Sequence, residues 1–201
     1  MPKKKRITSI APTLGAENIL IIGKLDRFQT RKTALLSSIA RRFPGQTAET
    51  VKQIADYVFH KTPIEESATV SGGKLSRHAE KVLSRGAVDL LHCYDRSHAL
   101  IGILNAKKIP SWLVMEVDWR NFAHTYVEVL IGKKIYTIGF RSYERPIVNE
   151  GKVETAMDCV PGSYFLRGND LGNLGVTDRE GLKHLIAQVN AGKAKGTIKI
   201  T

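Results

Sequence analysis

The 201-residue chain is 42% hydrophobic and 25% charged, a globular balance that excludes a disordered or fibrous polymer. Its net charge of +12 implies a basic surface, and two cysteines, Cys93 and Cys159, exclude a disulfide framework and suit a reducing compartment. No apolar run reaches membrane-spanning length and no apolar signal core follows the basic start, so the expectation is a soluble, cytoplasmic protein without a membrane partner.

Residues 1–15 read as a basic, flexible tail and 16–201 as one domain. The run 3–6 resembles a nuclear import signal, although a short basic tail is the simpler reading. Thr30 is placed to cap a helix whose apolar side carries Leu35, Leu36, Ile39, Ala40 and Phe43, ending at Pro44-Gly45. Thr47 caps the next, with Val51, Ile54, Ala55 and Val58 at helical spacing and Pro63 as its bound. The Ser71-Gly72-Gly73 turn leads into a third helix through Leu75, Ala79, Val82 and Leu83 to Gly86. A fourth begins at or just after Cys93, with Ala99, Leu100, Ile103 and Leu104 as its apolar face. Lys107 and Lys108 suit its last turn, and Pro110 stops it.

The period then changes. Residues 112–117 are strand-like, and 124–131 alternate, with Val127, Val129 and Ile131 on one face and His124, Tyr126 and Glu128 on the other. Gly132-Lys133 supplies a turn, and 135–140 returns as a second strand. Near the end, Thr177-Asp178-Arg179-Glu180 has the capping-box pattern and opens a helix carrying Leu182, Leu185, Ile186 and Val189; residues 197–201 suit a short edge strand. Helices followed by hairpin-connected strands predict an α+β fold with an antiparallel sheet.

A cysteine at a helix N-terminus has a physical use. The unpaired amides there stabilise a thiolate and can hold an oxyanion. A strand-borne imidazole such as His124 is a workable base for it. From these residues alone, Cys93 is more readily read as a small buried hydrophobe.

Further features narrow the choice. The stretch Cys93-Tyr94-Asp95-Arg96-Ser97-His98-Ala99-Leu100, running on to Ile109-Pro110, resembles the nucleophile helix of the transglutaminase-like superfamily. His124-Thr125-Tyr126-Val127-Glu128-Val129 is similar to that family's histidine strand, the segment 78–83 to the lead into its cysteine, and 51–57 to an earlier helix. The resemblance covers about 50–140 and implies a papain-like, transglutaminase-core α+β fold with N-terminal helices on an antiparallel sheet. It implies Cys93 as nucleophile and His124 as acid/base in attack on a peptide or isopeptide amide, with an acyl-enzyme intermediate and hydrolysis favoured over cross-linking. The alternative is a catalytically degenerate binding module on the same scaffold.

One position departs from the family pattern. Gly139 occupies the place where the family carries an aspartate that orients the histidine. Glu128 lies four strand residues from His124, roughly 13 Å, too far to substitute. If Gly132-Lys133 is a two-residue turn, Tyr126 pairs with Gly139 and Arg141 falls opposite His124, disfavouring imidazolium. Asp170 is the least poor distant replacement. Tyr126 reads as a cleft residue and oxyanion donor or as core, Asp95 as a stabiliser of the helix start, and His98 as a polar helix-surface or supporting histidine. Trp112 and Trp119 read as core. No ligand spacing for a metal and no phosphate loop occurs, so no metal or cofactor is expected. A protein or peptide substrate is the expected partner; nucleic acid is not favoured, because no aromatic residues interleave the basic ones.

Overall fold

The computed structural model describes residues 18–20, 30–65, 78–88, 92–118, 120, 122–171, 174, 176 and 179–193. The expected tail 1–15, the Ser71-Gly72-Gly73 turn, Leu75, Trp119, the Thr177-Asp178 cap and the strand 197–201 lie outside the described residues.

The helices form where the apolar spacing puts them. Thr33, however, rather than Thr30, caps α1 (Ala34–Arg41), its hydroxyl accepting from the Leu36 amide at 3.3 Å. Thr30 is buried, and its carbonyl accepts from the Asn105 side chain at 3.0 Å. Thr47 caps α2 (Ala48–Lys61) as expected, accepting from Thr50 at 3.1 Å. Helix α3 (Ala79–Arg85) ends on Gly86, whose φ of +70° makes the left-handed turn that glycine allows most cheaply. Helix α4 (His92–Ala106) is buried almost all round, Asp95, Arg96, Ser97 and His98 included, so it carries little amphipathic contrast. Lys107 lies just past its end and donates to the carbonyls of Ala40 and Phe43. Its charge therefore serves the C-terminal end of α1.

The sheet runs β1-β6-β2-β3-β4-β5. Its strands are β1 (Asn18–Leu20), β2 (Ser111–Val117), β3 (Ala123–Ile131), β4 (Lys134–Gly139), β5 (Ile147–Glu150) and β6 (Tyr164–Gly168). Five of these are mutually antiparallel, while the short β1 pairs parallel to β6, the one departure from the antiparallel expectation. Gly132, at φ +61°, closes a two-residue turn, so Ile131 pairs with Lys134 and Tyr126 with Gly139. Helix α5 (Val153–Ala156) follows β5, and α6 (Arg179–Lys193) follows β6.

Helix α4 packs between α1, α2 and α3 on one side and β2 and β3 on the other. Leu113, Met115, Val127, Val129, Ile138 and Leu166 face the helices within the main core. The alternate residues face away. There Val114, Tyr126 and Phe165 pack with Val153 and Met157 in a second cluster. On this far face Arg167 holds Glu128 at 2.8 Å and Glu154 at 2.6 Å, and Trp112 also donates to Glu128. Glu128 is thus engaged away from His124.

Close approach of α3 to α4 depends on Gly102. A Cβ there would stand 2.5 Å from Ala79 Cβ and 3.1 Å from Leu36 Cδ1. Gly102→Ala is expected to destabilise the fold by about 1–3 kcal/mol, read as a lower urea midpoint at unchanged slope. An unchanged midpoint would mean that the two helices do not meet there.

Candidate active site

Cys93 occupies the first turn of α4, and its sulfur lies where that helix meets β3. Burial pushes the thiol pKa up. Hydrogen bonds from the Thr125 hydroxyl, and then from the backbone of Thr125, Tyr94 and Cys93 itself, pull it down without reversing the rise. The helix-terminal amides therefore do reach the sulfur, as the sequence suggests, but they do not leave it a low-pKa thiol. The residue is 6% exposed.

His124 is the second residue of β3 and half-buried. Strand alternation turns it to the face opposite Thr125, so Cys93 and His124 come to the start of β3 from its two sides. Both line one open cleft of about 900 Å³, whose walls also include Phe122, Arg141, Glu144 and Lys183. Leu182 and Ile186 of α6 also line it.

Aromatic neighbours hold the imidazole. Phe122 stacks on it at 6.5 Å between centroids, and Tyr126 meets it edge-on at 4.8 Å. Burial pushes His124 down to about 4; the charge of Glu116 opposes this, and those of His92 and Arg141 add to it. Glu116 lies directly across from His124 on β2, a position that sequence reading missed. The bond from the Asp118 amide to the Phe122 carbonyl closes a short connection, which fixes Glu116 opposite His124. Glu116 is itself fully engaged, accepting from Tyr126 Oη at 3.0 Å, the Val160 amide at 2.8 Å and Ser163 Oγ at 2.8 Å. It therefore acts on His124 through charge.

The other expected residues are dispersed. Tyr126 is beside His124, but its hydroxyl is committed to Glu116. Asp95 is buried in the first turn of α4. His98 is fully buried rather than on the helix surface, and its Nε2 accepts from the Leu171 amide at 3.3 Å. That bond ties the turn after β6 to α4. Asp170 belongs to this turn. Gly168 pairs with Leu113, which puts Asp170 toward the Val129 end of β3, about five residues or roughly 16 Å from His124. Asp170 is therefore not brought to the imidazole, because β6 runs away from it. At Gly139 a Cβ would lie 3.3 Å from the Tyr126 ring, so the tyrosine covers the slot where an aspartate was expected.

A second cavity of about 200 Å³ lies between His124, Tyr126, Gly139, Arg141, Asn149 and Asp158. Cys159, on the same far face, donates to the Val153 carbonyl at 3.6 Å; burial first, and then the charge of Glu116, push its thiol up to about 12. Arg96 stands one turn after Cys93, lowered to about 10 chiefly by burial. It donates to the carbonyls of Arg141 at 3.0 Å and Ser142 at 3.2 Å, fixing the cleft wall to α4. Among the described residues no group of three or more His, Cys, Asp or Glu side chains gathers as a metal site, and no helix is long and apolar enough to cross a membrane.

No family model matches the chain, and no curated protein matches its sequence. Among solved structures it is similar to a candidate cysteine protease from Cytophaga hutchinsonii, at a TM-score of 0.50 and 16% identity. The match covers 74% of this chain and 46% of that one, so the chain spans less than half the length of that protein. At this identity the likeness concerns the fold, and it fits a papain-like α+β architecture.

A histidine with a depressed pKa binds its proton less readily folded than unfolded. Its contribution to stability is intact above the unfolded value near 6.5 and is lost as pH falls toward 4. His124 should titrate near 4 by NMR, and His124→Gln should flatten the loss of stability between pH 6.5 and 4. A midpoint near 6.5 would contradict the buried, cation-flanked site.

Proposed function

We propose that the protein is a thiol enzyme attacking a peptide or isopeptide amide, with Cys93 as nucleophile and His124 as proton acceptor and donor. The observation that carries this reading is that both residues border the same open cleft, with helix-terminal amides directed at the sulfur. The likeness in fold to a candidate cysteine protease supports it at the level of architecture.

The electrostatics favour a neutral resting pair, since the thiol is raised and the imidazole lowered. In the attack, the bond from Cys93 Sγ to the carbonyl carbon forms as the thiol proton passes to His124. The α4 amides stabilise the oxyanion. As the carbon–nitrogen bond breaks, His124 returns the proton to the departing amine, leaving a thioester on Cys93. Water, deprotonated by His124, then releases the acid.

A second reading, a degenerate binding module, is favoured by two observations. Gly139 supplies no carboxylate, and Arg141 adds positive charge beside the base. One experiment separates the two. With p-nitrophenyl acetate, the enzymatic reading predicts a burst of nitrophenolate and an acetyl group on Cys93 by mass spectrometry. The adduct should be absent in Cys93→Ala and formed about 100-fold more slowly or worse in His124→Ala. Acetylation of Cys159 alone, or equal rates with and without His124, would leave the binding module.

A further inference from the structure

We infer that Arg141 is a carboxylate receptor, and that the peptides this site takes carry a free carboxylate next to the bond at Cys93. The inference rests on the thiol-enzyme reading for its catalytic meaning, but the binding it asserts is separately measurable.

Arg141 follows β4 at the position that continues the β3–β4 register opposite His124. It lines both the large cleft and the smaller cavity, as does His124. The residue therefore borders both spaces, and its charge reaches His124. A guanidinium recognises a carboxylate through paired hydrogen bonds better than it recognises any neutral group. Arg141 already holds one carboxylate, Glu144 Oε2, at 3.3 Å from its Nη1, with side chains 54% and 67% exposed. An exposed pair of this kind is weak, so an incoming carboxylate displaces it readily. Lys183, which also lines the cleft, adds positive charge, although it is paired with Glu180 at 2.7 Å. Asp158, on the far wall of the small cavity, and Glu116, beneath His124, oppose an anion. They confine the favourable position to the Arg141 side.

The same arrangement accounts for an otherwise adverse feature. A cation beside a general base lowers its basicity. A carboxylate seated on Arg141 adds one negative charge to a cleft that already contains Glu144, so His124 gains proton affinity when a substrate of this class is bound. The substrate then supplies a negative charge near the base where Gly139 provides none.

The test uses the full chain carrying Cys93→Ala, so that thiol chemistry plays no part. His124 ring resonances are followed by NMR during addition of N-acetylglycine, of its neutral amide, of N-acetylaspartate α-amide and of inorganic phosphate. Either carboxylate probe shifting His124 saturably supports the inference, and the two together tell a terminal from a side-chain carboxylate; the neutral amide should do nothing. Arg141→Gln should weaken the response about tenfold or more, and Glu144→Gln should strengthen it by up to about fivefold. Arg145→Gln removes the same charge from an exposed position outside both cavities and should leave the response unchanged. No shift with either carboxylate, an equal shift with the neutral amide or phosphate, or an unaltered response in Arg141→Gln overturns it. Failure of Cys93 to form a thioester would instead remove the thiol-enzyme reading and leave the receptor standing.

Discussion

The N-terminal half of α4 is bolted to the start of β3 and to the strand end beside it, and every property of the site follows from that seat. Cys93 bonds to Thr125, Tyr94 Oη donates to the Ala123 carbonyl at 3.3 Å, and Ser97 Oγ meets Thr125 Oγ1 at 3.4 Å. Arg96 reaches past them to the carbonyls after β4. An ionised side chain buried without a carboxylate is expensive, and Arg96 tolerates it by giving its donors to main-chain oxygens and lying over the Phe59 ring at 4.7 Å. What that arrangement provides is geometry: the helix-terminal amides, the thiol and the wall carrying Arg141 are held in fixed relation.

Charge then sets how the site can work. Burial acts on both partners in the direction of neutrality, and the charges around His124 pull in opposite directions, Glu116 upward and Arg141 downward. The imidazole is oriented by Phe122 and Tyr126, not by a hydrogen-bonded carboxylate from β4. Under the proposed thiol chemistry, a site built this way would hold little thiolate at rest and would depend on proton transfer during attack. Whatever substrate changes the charge at Arg141 also changes the base.

Much of this was legible in the sequence because it is local. Thr47 caps as expected because its oxygen needs only the amide three residues on. The β3–β4 register followed from Gly132-Lys133, since a two-residue turn leaves one pairing, and with it came the place of Arg141. The failures have a common cause in long-range contact. Thr30 looks like a cap until Asn105, on a distant helix, claims its carbonyl. His98, five residues after Cys93, suits a polar surface or supporting position from its spacing alone, whereas the turn after β6 covers it. Asp170 fails as a replacement because the direction of β6 is not written in the residues around it. Glu116 was overlooked because the partner of a strand is not written in the strand itself.

The central claim is that the Cys93 thiol and the His124 imidazole, coming from opposite sides of β3, reach the same space. Treatment with 1,3-dibromoacetone, which alkylates two nucleophiles a few ångströms apart, tests that claim most directly. Peptide mapping should find a single three-carbon bridge from Cys93 to His124. A Cys93 that is only monoalkylated, or bridged to His92 instead, would contradict the account.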